Sequence, residues 1–160
     1  MNPALHSHKR DDWETPDELF NALDREFGFV LDPCATESNA KCPRYFTADE
    51  NGLIRHWDRL TAFVNPPYSQ LAAWIDKCHT ESLNGSTVVL LIPARTDTKA
   101  FHKYIWDHRL HRPRGNVELR LLPGRLKFKG ADASAPFPSA IVVFHPPIDD
   151  PVHQPALPIK

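Results

Sequence analysis

Residues 87–92 read Thr-Val-Val-Leu-Leu-Ile, an unbroken run that ends on Pro93. A strand with one face in water alternates apolar and polar side chains. This run does not alternate, so both of its faces must be covered. It is too short for an ordinary helix, and proline closes it because proline gives no N–H to a ladder. Such a strand demands a sheet with a layer packed on each side. The 160-residue chain is long enough to build one such domain.

The rest of the pattern supplies those layers. Thr15-Pro16-Asp17-Glu18 reads as a helix start, with Thr15 as cap, Pro16 in the first helical position and Glu18 completing a capping box. Leu19, Phe20, Leu23 and Phe27 follow at helical spacing, and Gly28 can stop the helix. Phe29-Val30-Leu31 predicts a short buried strand ending at Asp32, followed by a long polar loop. Ala62-Phe63-Val64 predicts another strand, ending at Asn65. Leu71, Trp74, Ile75 and Cys78 predict a second helix that stops near Asn84-Gly85. Ala100, Phe101, Tyr104 and Ile105 suggest a third helix. Residues 117–122 and 139–144 read as strands, with Leu126-Lys127-Phe128 extended between them. The expected fold is α/β, with a mostly parallel sheet that ends in an antiparallel hairpin. The domain is expected over residues 12–144. A flexible tail precedes it over 1–11, and a disordered tail with five prolines follows over 145–160.

Composition excludes several classes. Hydrophobic content is 41% with no apolar run long enough for a bilayer, so no membrane role is expected. The first residues lack the apolar segment of a secretory signal. Cys34, Cys42 and Cys78 make an odd count without paired spacing, which suits free thiols in a reducing cytoplasm. Adding His79 to them matches no common zinc spacing, so no metal is expected. Net charge is −1, yet residues 95–129 hold ten Lys and Arg against three Asp and Glu. A basic segment in a near-neutral chain suits a polyanion-binding face, or simply a solvated surface.

Ligands of open α/β sheets lie at the carboxyl ends of the strands. Those ends carry Asp32-Pro33-Cys34, Asn65-Pro66-Pro67-Tyr68 and Pro93-Ala94-Arg95. Asn65 offers a side-chain carbonyl and Pro66 a backbone carbonyl. The two prolines withhold N–H donors, and Tyr68 adds a flat ring. That set fits a planar ligand with an exocyclic amine: adenine, cytosine or an amide nitrogen.

Asn65-Pro66-Pro67-Tyr68 is similar to the [DNS]-Pro-Pro-[YF] tetrad of the amino-methyltransferases. Further blocks occur in order along the chain. They are Asp12-Trp13-Glu14-Thr15-Pro16, Leu31-Asp32-Pro33-Cys34-Ala35, Leu91-Ile92-Pro93-Ala94-Arg95-Thr96-Asp97-Thr98, Gly124-Arg125-Leu126-Lys127-Phe128 and Ser134-Ala135-Pro136-Phe137-Pro138-Ser139. With these the sequence resembles the phage-type DNA N6-adenine methyltransferases, small Dam-like enzymes, over residues 12–144. The resemblance implies a compact Rossmann-like class I fold, S-adenosylmethionine as methyl donor and an adenine flipped out of double-stranded DNA as acceptor.

The resemblance also implies roles. Asn65, Pro66, Pro67 and Tyr68 form the catalytic corner. Asp32 stands where the donor's amino group is held. Pro33, Cys34 and Ala35 replace the Gly-rich loop of larger methyltransferases. Trp13, Thr15 and Pro16 help close the donor pocket, although helix capping also explains Thr15 and Pro16. Asp49, or else Glu50, can meet the donor's ribose, and Trp57 either lines the adenosine pocket or packs in the core. Tyr68 stacks on the flipped base, with Phe128 or Phe137 on its other face. Arg95, Lys99, Arg125 and Lys127 are the phosphate contacts. Sequence reading has to come from loops such as residues 108–116. Cys34 needs no nucleophilic role, because the amine attacks the methyl carbon directly. The alternatives are an amino-methyltransferase acting on RNA or a protein glutamine, and a catalytically idle DNA-binding module of the same fold. No obligate protein partner is evident.

Overall fold

A computed structural model describes residues 11 and 13–148. The expected tails lie outside the described residues except for Asp11 and residues 145–148, as does Asp12. The fold is mixed α/β with a mostly parallel central sheet and an antiparallel hairpin at one edge.

Helix α1 (Asp17–Phe27) opens the domain and ends at Gly28, whose φ of 66° lies in the left-handed region that glycine adopts freely. The capping box does not form. Pro16 is the residue before the first turn, and no side chain caps the helix. The Thr15 hydroxyl is engaged elsewhere, by Asn65. Strand β1 (Leu31–Asp32) follows, then β2 (Arg44–Tyr45), β3 (Ala62–Val64), α2 (Leu71–Leu83) and β4 (Val88–Pro93). The third helix is not formed at full length. Residues 101–105 make one π-helical turn, and Trp106 turns extended at once to start β5 (Trp106–Asp107). β5 pairs with β6 (Arg112–Pro113) in a separate small hairpin. β7 (Val117–Leu121) and β8 (Ser139–Phe144) complete the main sheet. Residues 126–128 form no strand, but Lys129 makes an isolated antiparallel bridge to Glu14.

The main sheet runs β2-β1-β3-β4-β8-β7. The first four strands pair parallel, whereas β8 runs antiparallel to both β4 and β7. Strand β4 is buried at all six residues, as its composition requires. Val88, Leu90 and Ile92 face one core with Trp74, Ile75 and Cys78 of α2. Val89 and Leu91 face the other, with Phe20 and Leu23 of α1. The alternation of side chains along a strand sends successive residues to opposite layers.

Two consequences of the topology position the site. First, the chain passes from β1 outward to β2 and then returns to the other side of β1 as β3. The carboxyl ends of β1 and β3 therefore flank a point where the winding reverses, which is where open α/β sheets leave a crevice. Secondly, Pro93 pairs with Ser139, so the 122–138 loop before β8 emerges at the same edge as the ends of the parallel strands. No described helix is long and apolar enough to cross a membrane.

Candidate active site

A cavity of about 450 Å³ opens at the winding reversal between β1 and β3. That is within the ordinary size of a small-molecule pocket. Asp32 from the end of β1 and Asn65 from the end of β3 both line it, and so do Trp13, Thr15, Pro33, Cys34, Ala35 and Pro67. Asp32 and Asn65, 33 positions apart, thus meet because two parallel strands end side by side.

Asp32 is 6% exposed. Its carboxylate accepts from the backbone N–H of Lys41 at 3.1 Å and of Cys34 at 3.4 Å. Among the described residues no cation pairs with it. Burial pushes its pKa up to about 6, against the two backbone donors and the nearby Lys41 charge, which favour the charged form. A desolvated carboxylate at a cavity wall favours a cationic ligand. Cys34 donates its thiol to the Asn65 carbonyl at 3.3 Å, and burial holds its pKa well above the ordinary range. It stays a thiol at neutral pH, which agrees with a non-nucleophilic role.

The Asn65 amide has one allowed orientation. Its Nδ2 donates to the Trp13 carbonyl and, at 3.0 Å, to the Thr15 hydroxyl. A backbone carbonyl only accepts, so the NH₂ must face it. The Asn65 Oδ1 is left buried without a hydrogen-bond partner. Trp13 and Thr15 are themselves pinned by their neighbours. The Glu14 carbonyl accepts from Lys129 N at 2.9 Å, and the Pro16 carbonyl accepts the first helical bond of α1 from Phe20. Asp11 closes the same corner by accepting from Ser69 N at 2.9 Å and from the Ser69 hydroxyl at 2.5 Å.

Other expected site residues fall outside the cavity wall. Pro66 and Tyr68 do not line it, and Pro16 stands behind it at the start of α1. Tyr68 is 8% exposed, its hydroxyl has no partner, and Phe137 meets its ring edge-on at 5.6 Å. Phe128 is 2% exposed and packs on Trp13 at 5.0 Å, so it serves the core; Phe137 remains half-buried. Trp57 is wholly buried in the core with its indole N–H on the Gly52 carbonyl, and it does not line the cavity. Asp49 does not line the cavity. Glu50 is turned to Thr47, accepting from both its N–H and its hydroxyl. The wall beside them is made of Thr47, Ala48, Asn51 and Gly52. Sequence reading missed these, and also Asp11 and Lys41, because none stands at a strand end or in a patterned block.

Gly52 has a steric reason to be glycine. A Cβ there would lie 2.0 Å from the Pro33 carbonyl oxygen and 3.1 Å from the Trp74 ring. This contact brings the long loop against the Pro33-Cys34-Ala35 turn.

The basic segment is paired only in part; Lys103, Arg109 and Arg112 make no ion pair among the described residues. Arg114 pairs with Asp107, Arg120 with Glu26 and Glu118, and Lys129 with Asp17. Arg95, Lys99, Arg125 and Lys127 are exposed and make no ion pair among the described residues. All four stand after β4 or in the 122–138 loop, on the side of the sheet where the parallel strands end. No cluster of metal-ligating side chains occurs among the described residues.

Comparison with known proteins identifies the family. Over 76 residues the chain is 46% identical to YfdM of Escherichia coli (strain K12), a protein named as a methyltransferase; the match covers 42% of this chain and 84% of YfdM. It is 34% identical over 95 residues to the DNA N-6-adenine-methyltransferase of Haemophilus phage HP1, covering 58% of this chain and 55% of that protein. It is 31% identical over 94 residues to the DNA N-6-adenine-methyltransferase of Escherichia phage T1, covering 58% and 40%. The match thus spans about half the length of the two phage relatives. The family model for DNA N-6-adenine-methyltransferase (Dam) matches residues 3–151, nearly the whole sequence. The chain belongs to the DNA N-6-adenine-methyltransferase (Dam) family.

Proposed function

We propose that this protein transfers a methyl group from S-adenosylmethionine to N6 of an adenine flipped out of double-stranded DNA. The observation that carries the reading is the Asn65 amide, whose NH₂ is spent on Trp13 and Thr15 while its oxygen stays buried and unpartnered. An unpartnered acceptor on a residue that lines the pocket is what an exocyclic amine requires. The sheet is proposed to be the compact Rossmann-like class I frame, acting in the cytoplasm of a bacterial or phage-infected cell.

The cavity suits the donor in three respects. Its volume is adequate, Asp32 offers an unpaired carboxylate to an ammonium group, and Asn65 stands on the wall. When bound, the donor supplies an electrophilic sulfonium methyl. Asp32 would hold the amino group of its methionyl part, and Trp13, Thr15, Pro33, Cys34 and Ala35 would enclose it. Thr47 and Asn51 line the cavity, Asp49 does not, and these two neutral side chains would be available to its ribose.

Asn65 Oδ1 and the Pro66 carbonyl would accept the two N–H bonds of the adenine amine. This orients the nitrogen lone pair for attack and stabilises the positive charge that develops there. The surplus proton leaves the nitrogen to solvent, so the corner needs no strong base. Flipping an adenine costs a few kcal/mol. Tyr68 would recover part of this by stacking, with Phe137 moving from its edge-on contact to admit the base. Arg95, Lys99, Arg125 and Lys127 would hold phosphates, which positions the duplex without reading its sequence.

The test is transfer of a labelled methyl from S-adenosylmethionine to DNA lacking prior methylation. N6-methyladenine is expected on digestion. Asn65→Ala should abolish it while calorimetry still detects donor binding. Label in RNA or protein alone, donor binding without transfer by the wild type, or near wild-type turnover by Asn65→Ala would overturn the reading.

A further inference from the structure

We propose that Thr15 is a positioning residue for methyl transfer: its hydroxyl fixes the Asn65 side chain so that only the amide oxygen is available to the acceptor amine. The inference rests on the methyl-transfer reading and adds a residue whose work is done through Asn65.

A threonine just before a helix ordinarily caps it. Thr15 stands two residues before the first residue of α1, yet no side chain caps that helix. Thr15 is 3% exposed, and its hydroxyl accepts from Asn65 Nδ2 at 3.0 Å. Local helix stability therefore does not explain it. The Trp13 carbonyl alone would choose which end of the amide faces inward, because two oxygens repel. A single anchor, however, leaves the amide plane free to turn about that bond. The Thr15 hydroxyl takes the second N–H and fixes the plane. Both flanking residues are held by backbone bonds, Glu14 to Lys129 and Pro16 to Phe20, so the anchor itself cannot drift.

Removing the hydroxyl leaves a buried N–H unpaired and the amide plane free to turn. The nearly isosteric Thr15→Val should therefore lower kcat roughly tenfold. DNA affinity should hold, and donor affinity, whose pocket Thr15 also lines, should fall less than kcat does. Thr15→Ser keeps the oxygen and should keep kcat within about threefold. A second readout is independent of turnover. The Asn65 side-chain NH₂ protons should be protected from exchange in the wild type and in Thr15→Ser, and exposed in Thr15→Val. An unchanged kcat in Thr15→Val, a loss confined to donor affinity, or unchanged amide protection would overturn the proposal. Failure of the methyl-transfer reading looks different, since the wild type itself would then give no N6-methyladenine.

Discussion

At the scale of single residues, the site depends on two polar groups that folding leaves without counterparts. Asp32 is a carboxylate with backbone donors only, and Asn65 keeps one acceptor idle. Both arrangements cost stability in the free protein and favour a bound ligand. Asp32 makes this measurable. Its pKa is raised from 3.8 to about 6 in the folded chain. The folded state thus binds a proton that the unfolded state has already lost, and this contribution disappears as pH rises through about 6. Between pH 5 and 7 the wild type should lose about 1.4 kcal/mol relative to Asp32→Asn, read from denaturant midpoints at each pH. Donor affinity should show the opposite trend. It should be constant above pH 7 and fall towards tenfold per unit below about 6, because only the charged carboxylate pairs with an ammonium group. Flat pH profiles for both quantities would remove Asp32 from the donor site.

At the scale of elements, the strands and helices that bury apolar side chains were legible in the sequence, and the polar connections were not. Val88–Pro93 has no polar residue, so only a fully buried strand accommodates it. Helix α1 was legible from Leu19, Phe20, Leu23 and Phe27, but its capping box was not realised, because a long-range partner claimed the Thr15 hydroxyl. Strand β2 escaped notice since it is a two-residue edge strand, Arg44–Tyr45, with no apolar alternation. The third helix shrank to one turn because β5 begins directly after it. The loop beyond β2 lines the cavity with Thr47, Ala48, Asn51 and Gly52, and Gly52 abuts the Pro33 carbonyl. Gly52→Ala forces a Cβ against backbone that cannot swing aside, and should cost about 1–3 kcal/mol in thermal or denaturant unfolding. The same variant should weaken donor binding, since Asn51 and Gly52 form one wall. Unchanged stability would show that the loop shifts freely at that point.

At the scale of the whole molecule, the sheet order makes one edge of the protein chemically unlike the rest. The carboxyl ends of β1, β3 and β4 and the loop entering β8 all emerge there. The unpaired cations Arg95, Lys99, Arg125 and Lys127 emerge with them, whereas Arg114, Arg120 and Lys129 are neutralised by local carboxylates. A net charge of −1 is thus compatible with a cationic binding edge. Arg125→Ala or Lys127→Ala should weaken DNA binding and flatten the plot of log affinity against log salt by about 0.9 per lost phosphate contact. Titrations at several salt concentrations check this, and an unchanged slope would place the DNA face elsewhere.

The sequence by itself determined the α/β class, the buried central strand, the two main helices and the Asn-Pro-Pro-Tyr corner. Each of these follows from apolar spacing or from residues adjacent in the chain. Only the tertiary structure decided which groups share the cavity and which way they point. Asp32 and Asn65 meet because β1 and β3 pair in parallel. The Asn65 oxygen is the free end of its amide because Trp13 and Thr15, fifty residues away and more, consume the nitrogen. Hydrogen bonds between distant segments depend on how the layers dock, and no local pattern of residues encodes them.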